Sequence, residues 1–240
     1  MVEHKHSAAP INCQTCTVRM SCFGHGADAA ALEKLNRAVE RRIRLESGDY
    51  LYRTGDPFTS LYAVSTGCLR NTIRDDRGRE QVMGFHMMGD VLGVAGIGPR
   101  HYIFDMRAVQ ASEVCEVPFD RLEELAEHVP GLRGNILKIF GRYRNRDART
   151  LALRRSANPD VRLAGFLLDL SQRREMLEQD AAVIDLPMSR ADIASYLGLS
   201  TGVLARSFLR LDERGIAKTA RKSVQVRDAQ GLKTLAAASL

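Results

Sequence analysis

Proline is scarce in this chain, with 7 among 240 residues, and the 19 glycines follow no triplet period. Collagen-like and mucin-like readings are therefore excluded. Nowhere do 18 or more apolar residues run together, which leaves no segment for a membrane-spanning helix. The first residues, MVEHKHSAAPINCQTC, lack the basic start and apolar core that export requires. A soluble, cytoplasmic protein is the expectation. Also missing are Gly-x-Ser-x-Gly, a phosphate-binding loop, a dinucleotide fingerprint and a paired-carboxylate constellation, so an ordinary enzyme is not expected. What is present, 45% hydrophobic and 27% charged residues, is globular arithmetic for about two domains.

The formal charge is +6, and its distribution says more than its total. Residues 28–132 carry 13 basic against 17 acidic side chains, whereas residues 133–155 carry 8 against 1. Residues 200–227 add seven basic side chains with only Asp212 and Glu213 as acids. The C-terminal half suits an anionic partner and the acidic N-terminal half does not.

Five cysteines occur, an odd number that argues against a disulfide scaffold. Three of them, Cys13, Cys16 and Cys22, fall within ten residues near the N-terminus. Thiolates at that spacing can converge on one soft metal centre, either a zinc ion or an iron–sulfur cluster, and either needs a fourth ligand. Cys115, Cys68, His4, His6 and His25 are the candidates for it. Residues 1–27 show no hydrophobic period of their own and are expected to stay loose until a ligand ties them down. Ser21, beside Cys22, is polar where an apolar side chain would shield a bound group, so a more solvated edge is expected there.

Four segments follow from texture: 1–27, cysteine-rich; 28–129, a β-rich sensor domain; 130–157, a long helix; and 158–240, a second domain. Asp28 opens a helix, and turn signals every 7 to 12 residues from about Ile43 to Phe119 then mark antiparallel strands of a sandwich or roll. A second short helix, RLEELAEHV, follows. Pro130 begins the long helix, whose Ile136, Phe140, Tyr143, Asp147 and Leu151 recur at seam spacing. A homodimer through this seam is the favoured reading, against docking on the β domain. Asn158-Pro159 marks the hinge.

Beyond it, SRADIASYLGLSTGVLARSFLRLDERG reads as two short helices joined by a turn at Gly198. Ser189 and Ser200 cap them, and Ile193, Tyr196, Leu197, Leu199, Leu204 and Phe208 form a small core. The following IAKTARKSVQVRD reads as two short strands around a basic turn. Together these match a winged helix-turn-helix, whose second helix enters the major groove of DNA. Arg206 is placed to reach a guanine edge, while Arg210, Lys218, Arg221 and Lys222 are expected on phosphates. Ser200, Thr201, Gly202 and Ala205 complete the face expected on DNA.

Cys13, Cys16, Cys22 and Cys115, taken with GDYLYRTGDPFTSLYAVSTGCLR, GREQVMGFHMMGDVLG, SEVCEVPF and the helix-turn-helix, give a chain that resembles the FNR branch of the cyclic AMP receptor superfamily of bacterial transcription regulators. The resemblance runs from Cys13 onward. It implies an α+β fold: an N-terminal β-roll of cyclic-nucleotide-binding type, a long dimerisation helix and a C-terminal winged helix-turn-helix. It further implies that the four matching cysteines hold a [4Fe–4S] cluster in the absence of oxygen, and that the cluster-bearing homodimer binds a palindromic promoter. Oxygen converts the cluster to a [2Fe–2S] form, the dimer separates and DNA is released. The matching aspartate, Asp147, acts as a brake on pairing. The exposed turn Asp75 to Glu80 corresponds to a loop that touches RNA polymerase, and Cys68 matches no ligand position.

Two departures from the family pattern matter. Cyclic nucleotide binding is not expected, because the phosphate-gripping Gly-Glu turn is Gly89-Asp90 here and no Arg-Ser pair follows in RHYIFDMRAV; Arg107 alone remains, read as structural. The recognition-helix signature Glu-x-x-Ser-Arg is here Gly202-Val203-Leu204-Ala205-Arg206. Losing one good base contact costs about 1–3 kcal/mol of discrimination, and Gly202 weakens the helix start by about 1 kcal/mol relative to Ala. An altered or relaxed operator is expected.

Overall fold

The computed structural model describes residues 5–6, 12–19 and 21–237, the side chains of residues 5 and 6 excepted. Two compact units result, 1–142 and 143–240. In the first, the order is β1 (Lys5–His6), α1 (Ala29–Ala38), β2 (Arg41–Leu45), β3 (Tyr50–Tyr52), β4 (Ser60–Thr66), β5 (Cys68–Arg74), β6 (Glu80–Met87), β7 (Val91–Leu92), β8 (Asp105–Ala108), β9 (Ser112–Pro118) and α2 (Phe119–His128). The helix α3 (Leu132–Arg155) belongs to both units by its two ends. The second unit continues with α4 (Pro159–Met176), β10 (Val183–Asp185), α5 (Arg190–Leu197), α6 (Thr201–Glu213), β11 (Ala217–Thr219), β12 (Ser223–Val226) and α7 (Ala229–Ala237).

The expected roll is present as two antiparallel sheets, β1-β2-β9-β4-β7 and β3-β8-β5-β6. Alternation along β2 and β9 decides which residues enter the core. Ile43 and Val114 pair across the two strands and are fully buried, while Arg42, Arg44, Glu113 and Cys115 point to the opposite, outer face. Cys68 lies at 0% exposure on the other sheet, as packing. Arg107 donates through Nε to the Gly48 carbonyl at 2.7 Å and lies over the Tyr50 ring, a structural contact.

The expectation that residues 1–27 lack anything to bury is corrected within the described part of that segment. Val18 and Phe23 are buried at 3% and 1% exposure, and a fully buried aromatic of this size is worth about 1.5–3 kcal/mol. Gly24 makes the approach to α1 feasible, since a Cβ there would meet Leu32 Cδ2 at 2.8 Å. Ser21, expected at a solvated edge, is itself buried.

Helix α1 starts where Asp28 accepts from the Ala31 N–H at 2.7 Å. In α3, Leu132 and Ile139 are buried and Ile136, Phe140 and Tyr143 are half-buried, whereas Leu137 and Leu151 are 68% and 62% exposed. Leu137 and Leu151 stand two heptads apart with Arg144 between them. The exposed stripe of the helix comprises Leu137 in the first unit and Arg144, Asp147 and Leu151 in the second.

In the second unit Asn158 caps α4, accepting from the Asp160 N–H at 2.9 Å with Pro159 in the first turn. Ser189 caps α5 and Ser200 caps α6, and Gly198, at φ +64°, supplies the left-handed residue between the two helices. Ile193, Tyr196, Leu197, Leu204 and Phe208 are buried, and Leu199 is half-buried. Strands β10-β12-β11 form the wing sheet. Helix α7, absent from the sequence expectation, packs Leu232 and Leu235 into the unit after Asp228, whose carboxylate accepts from the Gly231 N–H at 2.8 Å.

Candidate metal centre and nucleic-acid interface

Four thiols from two distant stretches are brought together on the outer face of the β2–β9 pair. Cys22 is pushed up to about 12, first by burial and then by the charges of Cys115, Cys13 and Cys16. Cys13 is pushed up to about 11 by burial, with Cys115 and Cys16 acting in the same direction and Arg42 opposing them. Burial also raises the Cys115 thiol, against the charge and hydrogen bond of Arg42. Cys13 and Cys22 each feel Cys115 and Cys16, and Cys115 feels Cys16, a mutual repulsion of thiolates that a bound metal cation would relieve. Cys68 is not a member of this group. Among the described residues no three His, Cys, Asp or Glu side chains close around a single metal ion. The donor set is soft and sulfur-only, chemistry that suits either zinc or an iron–sulfur group. His4 lies outside the described residues, as does the side chain of His6. His25 is tied through its backbone carbonyl, which accepts from Asn135 at 2.5 Å.

The cysteine turn is fixed by its backbone. Asn36 on α1 accepts from the Cys13 N–H at 3.0 Å. From α3, Asn135 donates to the Phe23 carbonyl at 3.4 Å as well as to His25, and Arg142 donates to the Ser21 carbonyl at 2.8 Å. The carbonyl next to Cys22 is therefore held by the long helix. Sequence reasoning missed Asn36, Asn135 and Arg142 because nothing in local spacing announces a contact across 23 residues, still less across more than a hundred. Arg42 was missed for a related reason, since only strand register sets it opposite Cys115.

In the second unit, Thr201, Gly202, Ala205 and Arg206 lie exposed along one face of α6, continued by Leu209 at 62% exposure. Ser200 is exposed at the start of the helix, and its hydroxyl accepts from the Val203 N–H at 3.3 Å. A Cβ at Gly202 would meet nothing within 4 Å, so packing does not demand glycine there. Lys218, Arg221 and Lys222 are exposed on the wing. Leu209 carries no charge or motif and was not singled out in the sequence.

Arg210 departs from expectation. Its Nε and one terminal nitrogen donate to both Asp160 oxygens at 2.7 and 2.6 Å, with Ser207 Oγ at 3.1 Å. The guanidinium expected on a phosphate is instead the fork that binds α6 to the start of α4. The Arg210 hydrogen bond holds the Asp160 carboxyl below the usual carboxylate range. The Asp75–Glu80 turn is an exposed hairpin tip in which Asp75 accepts from the Arg77 and Arg79 N–H groups at 3.0 and 2.9 Å.

A β-roll followed by a long helix and a winged helix with a basic wing is the arrangement of a DNA-binding transcription regulator. The cyclic nucleotide-binding domain family matches residues 42–129 and the Crp-like helix-turn-helix domain family matches residues 161–235. The chain is 33% identical over 229 residues to the transcriptional activator protein Anr of Pseudomonas aeruginosa, covering 95% of this chain and 94% of that one. It is 30% identical to the fumarate and nitrate reduction regulatory protein of Escherichia coli over 94% of this chain and 90% of that one. FixK2 from Bradyrhizobium japonicum superposes with a TM-score of 0.73 at 25% identity, over 81% of this chain and 96% of that chain. The chain belongs to the CRP/FNR family of transcription regulators. Its relatives are regulators and not enzymes. Among the described residues no helix is long and apolar enough to cross a membrane.

Proposed function

We propose that this chain is an oxygen-responsive regulator in the cytoplasm, whose Cys13, Cys16, Cys22 and Cys115 hold a [4Fe–4S] cluster that favours homodimerisation through α3 and binding to promoter DNA. When bound, the cluster would supply a redox centre that oxygen dismantles. The observation that carries the reading is the approach of Cys115 on β9 to Cys13, Cys16 and Cys22, which lie in a turn whose backbone is fastened to the long helix by Asn135 and Arg142. Such fastening gives the state of the sulfur centre a direct grip on the dimer helix. Arg206 reads a base and Lys218, Arg221 and Lys222 take phosphates. With Gly202 and Ala205 beside Arg206, the operator differs from the family's usual palindrome. The Asp75–Glu80 turn is the surface offered to RNA polymerase. No cyclic nucleotide is required: Arg107 already donates to Gly48, and Asp90 accepts from the Met87 N–H at 3.0 Å.

The test is the visible spectrum, iron and sulfide content and DNA retention of protein prepared without air, before and after oxygen. The expected result is a coloured protein that loses colour and DNA together. A colourless preparation, or zinc in place of iron and sulfide, overturns it.

Asp147 lies exposed on the α3 stripe, where two symmetry-related carboxylates would face each other and resist joint desolvation. Asp147→Ala is expected to give a dimer that persists in air, read by sedimentation of the aerobic protein. A variant that stays monomeric would place the brake elsewhere.

A further inference from the structure

Arg42 stands directly across the β2–β9 pair from Cys115, and the pleat puts both on the outer face with Glu113. Its guanidinium lies 3.7 Å from Glu113, and its charge acts on the Cys115 thiol beside it. Its charge also reaches Cys13. The side chain is only 16% exposed, and its Nε is buried without a hydrogen-bond partner among the described residues. A guanidinium is a fixed fork of five N–H donors that never gives up its charge, and a donor left unmade in a buried position is costly. A largely buried cation with a spare N–H, beside Cys115 and paired by a single acid at the rim, is arranged for an anion larger than one thiolate.

We propose that Arg42 is a positioning residue of the sulfur centre, standing beside the Cys115 ligand across the strand pair and turning its unpartnered N–H and its charge toward the iron–sulfur group. The inference rests on the cluster reading above. Four thiolates around a [4Fe–4S] core leave a net anion, and taking up one electron from an external reductant adds a further negative charge. A fixed cation beside the sulfurs stabilises the reduced state more than the oxidised one, which raises the potential. Cys115 alone of the four ligands comes from the β-roll, so Arg42 also anchors the ligand on which the turn closes.

The experiment compares full-length wild type, Arg42→Gln and Arg42→Lys, each reconstituted without air using ferrous iron and sulfide. The midpoint potential of the one-electron couple is read by spectroscopic titration, iron retention by challenge with a chelator, and folding by circular dichroism. Arg42→Gln is expected to shift the potential to more negative values and to weaken iron retention about 10-fold, the lower end of the usual range for a ligand's outer partner. Arg42→Lys keeps the charge and is expected to restore most of the potential. Coloured variants with wild-type potential and retention would overturn the role of Arg42 while leaving the cluster reading intact, and so would a Lys variant no closer to wild type than Gln. A wild type that takes up neither iron nor sulfide would overturn both.

Discussion

Cys115→Ser is expected to reduce the iron and sulfide of anaerobically prepared protein to background and to abolish oxygen-dependent DNA binding. Cys115 is separated from Cys22 by most of the β-roll, yet its charge acts on both Cys22 and Cys13. Serine preserves the shape of the side chain but offers a hard, protonated oxygen where a soft thiolate is needed. The fold is expected to survive, because Cys115 sits half-buried on the outer face of β9 and takes no part in the core between the sheets. Cys68→Ala is the matching control. That thiol is at 0% exposure in the other sheet, so its removal is expected to lower the melting temperature without changing iron content. If Cys115→Ser keeps its iron, the four-sulfur centre is wrong; if Cys68→Ala loses it, the ligand set is wrong.

Arg210→Ala has the second largest expected effect, and on stability rather than on DNA affinity. Truncation leaves the Asp160 carboxylate, with its side chain only 10% exposed, facing the α4–α6 contact without its two charge-assisted bonds. Breaking a buried ion pair costs roughly 3–5 kcal/mol, and the 42% exposure of the arginine side chain reduces this to about 2 kcal/mol. Thermal melts of the variant against wild type read the loss directly. The pH dependence has a definite sign. The folded Asp160 carboxyl is depressed, so its contribution is complete above the unfolded carboxylate value of about 3.9 and is lost as pH falls through the lower folded value. The gap between wild type and variant is therefore expected to close in acid, below about pH 4. Were Arg210 a phosphate contact instead, the variant would melt like wild type and lose about one unit of salt slope in DNA binding.

Much of the candidate site was legible where chemistry is local. Ser189, Ser200 and Asp28 were readable as helix starts because a capping side chain acts within three residues of itself, and all three cap helices; Asn158, read as a hinge, caps α4 as well. Gly198 announced the turn, and the outward face of α6 followed from helical period. Arg210 shows the limit. One turn beyond Arg206, it looked like another cation for DNA, and only the approach of α4 reveals a partner fifty residues earlier. Along α3 the period alone could not separate Ile136 from Leu137, equally apolar neighbours, since burial of one rather than the other depends on what lies against the helix. Helix α7 was passed over because Gly231 interrupts a short segment whose two leucines are explained only by the unit that covers them.

The order of residues alone determined the architecture of this protein: a roll, a long helix and a winged helix-turn-helix, together with the sulfur donors available and the basic wing. Those features rest on periodicity, capping and residue type, which act over a few positions along the chain. Only the tertiary structure decided which groups meet. Strand register sets Arg42 opposite Cys115, α3 reaches the carbonyls around Cys22, and α4 takes Arg210 away from the expected phosphate. Such contacts join residues fifty to a hundred and more apart, and their existence depends on backbone placement summed over every element between them.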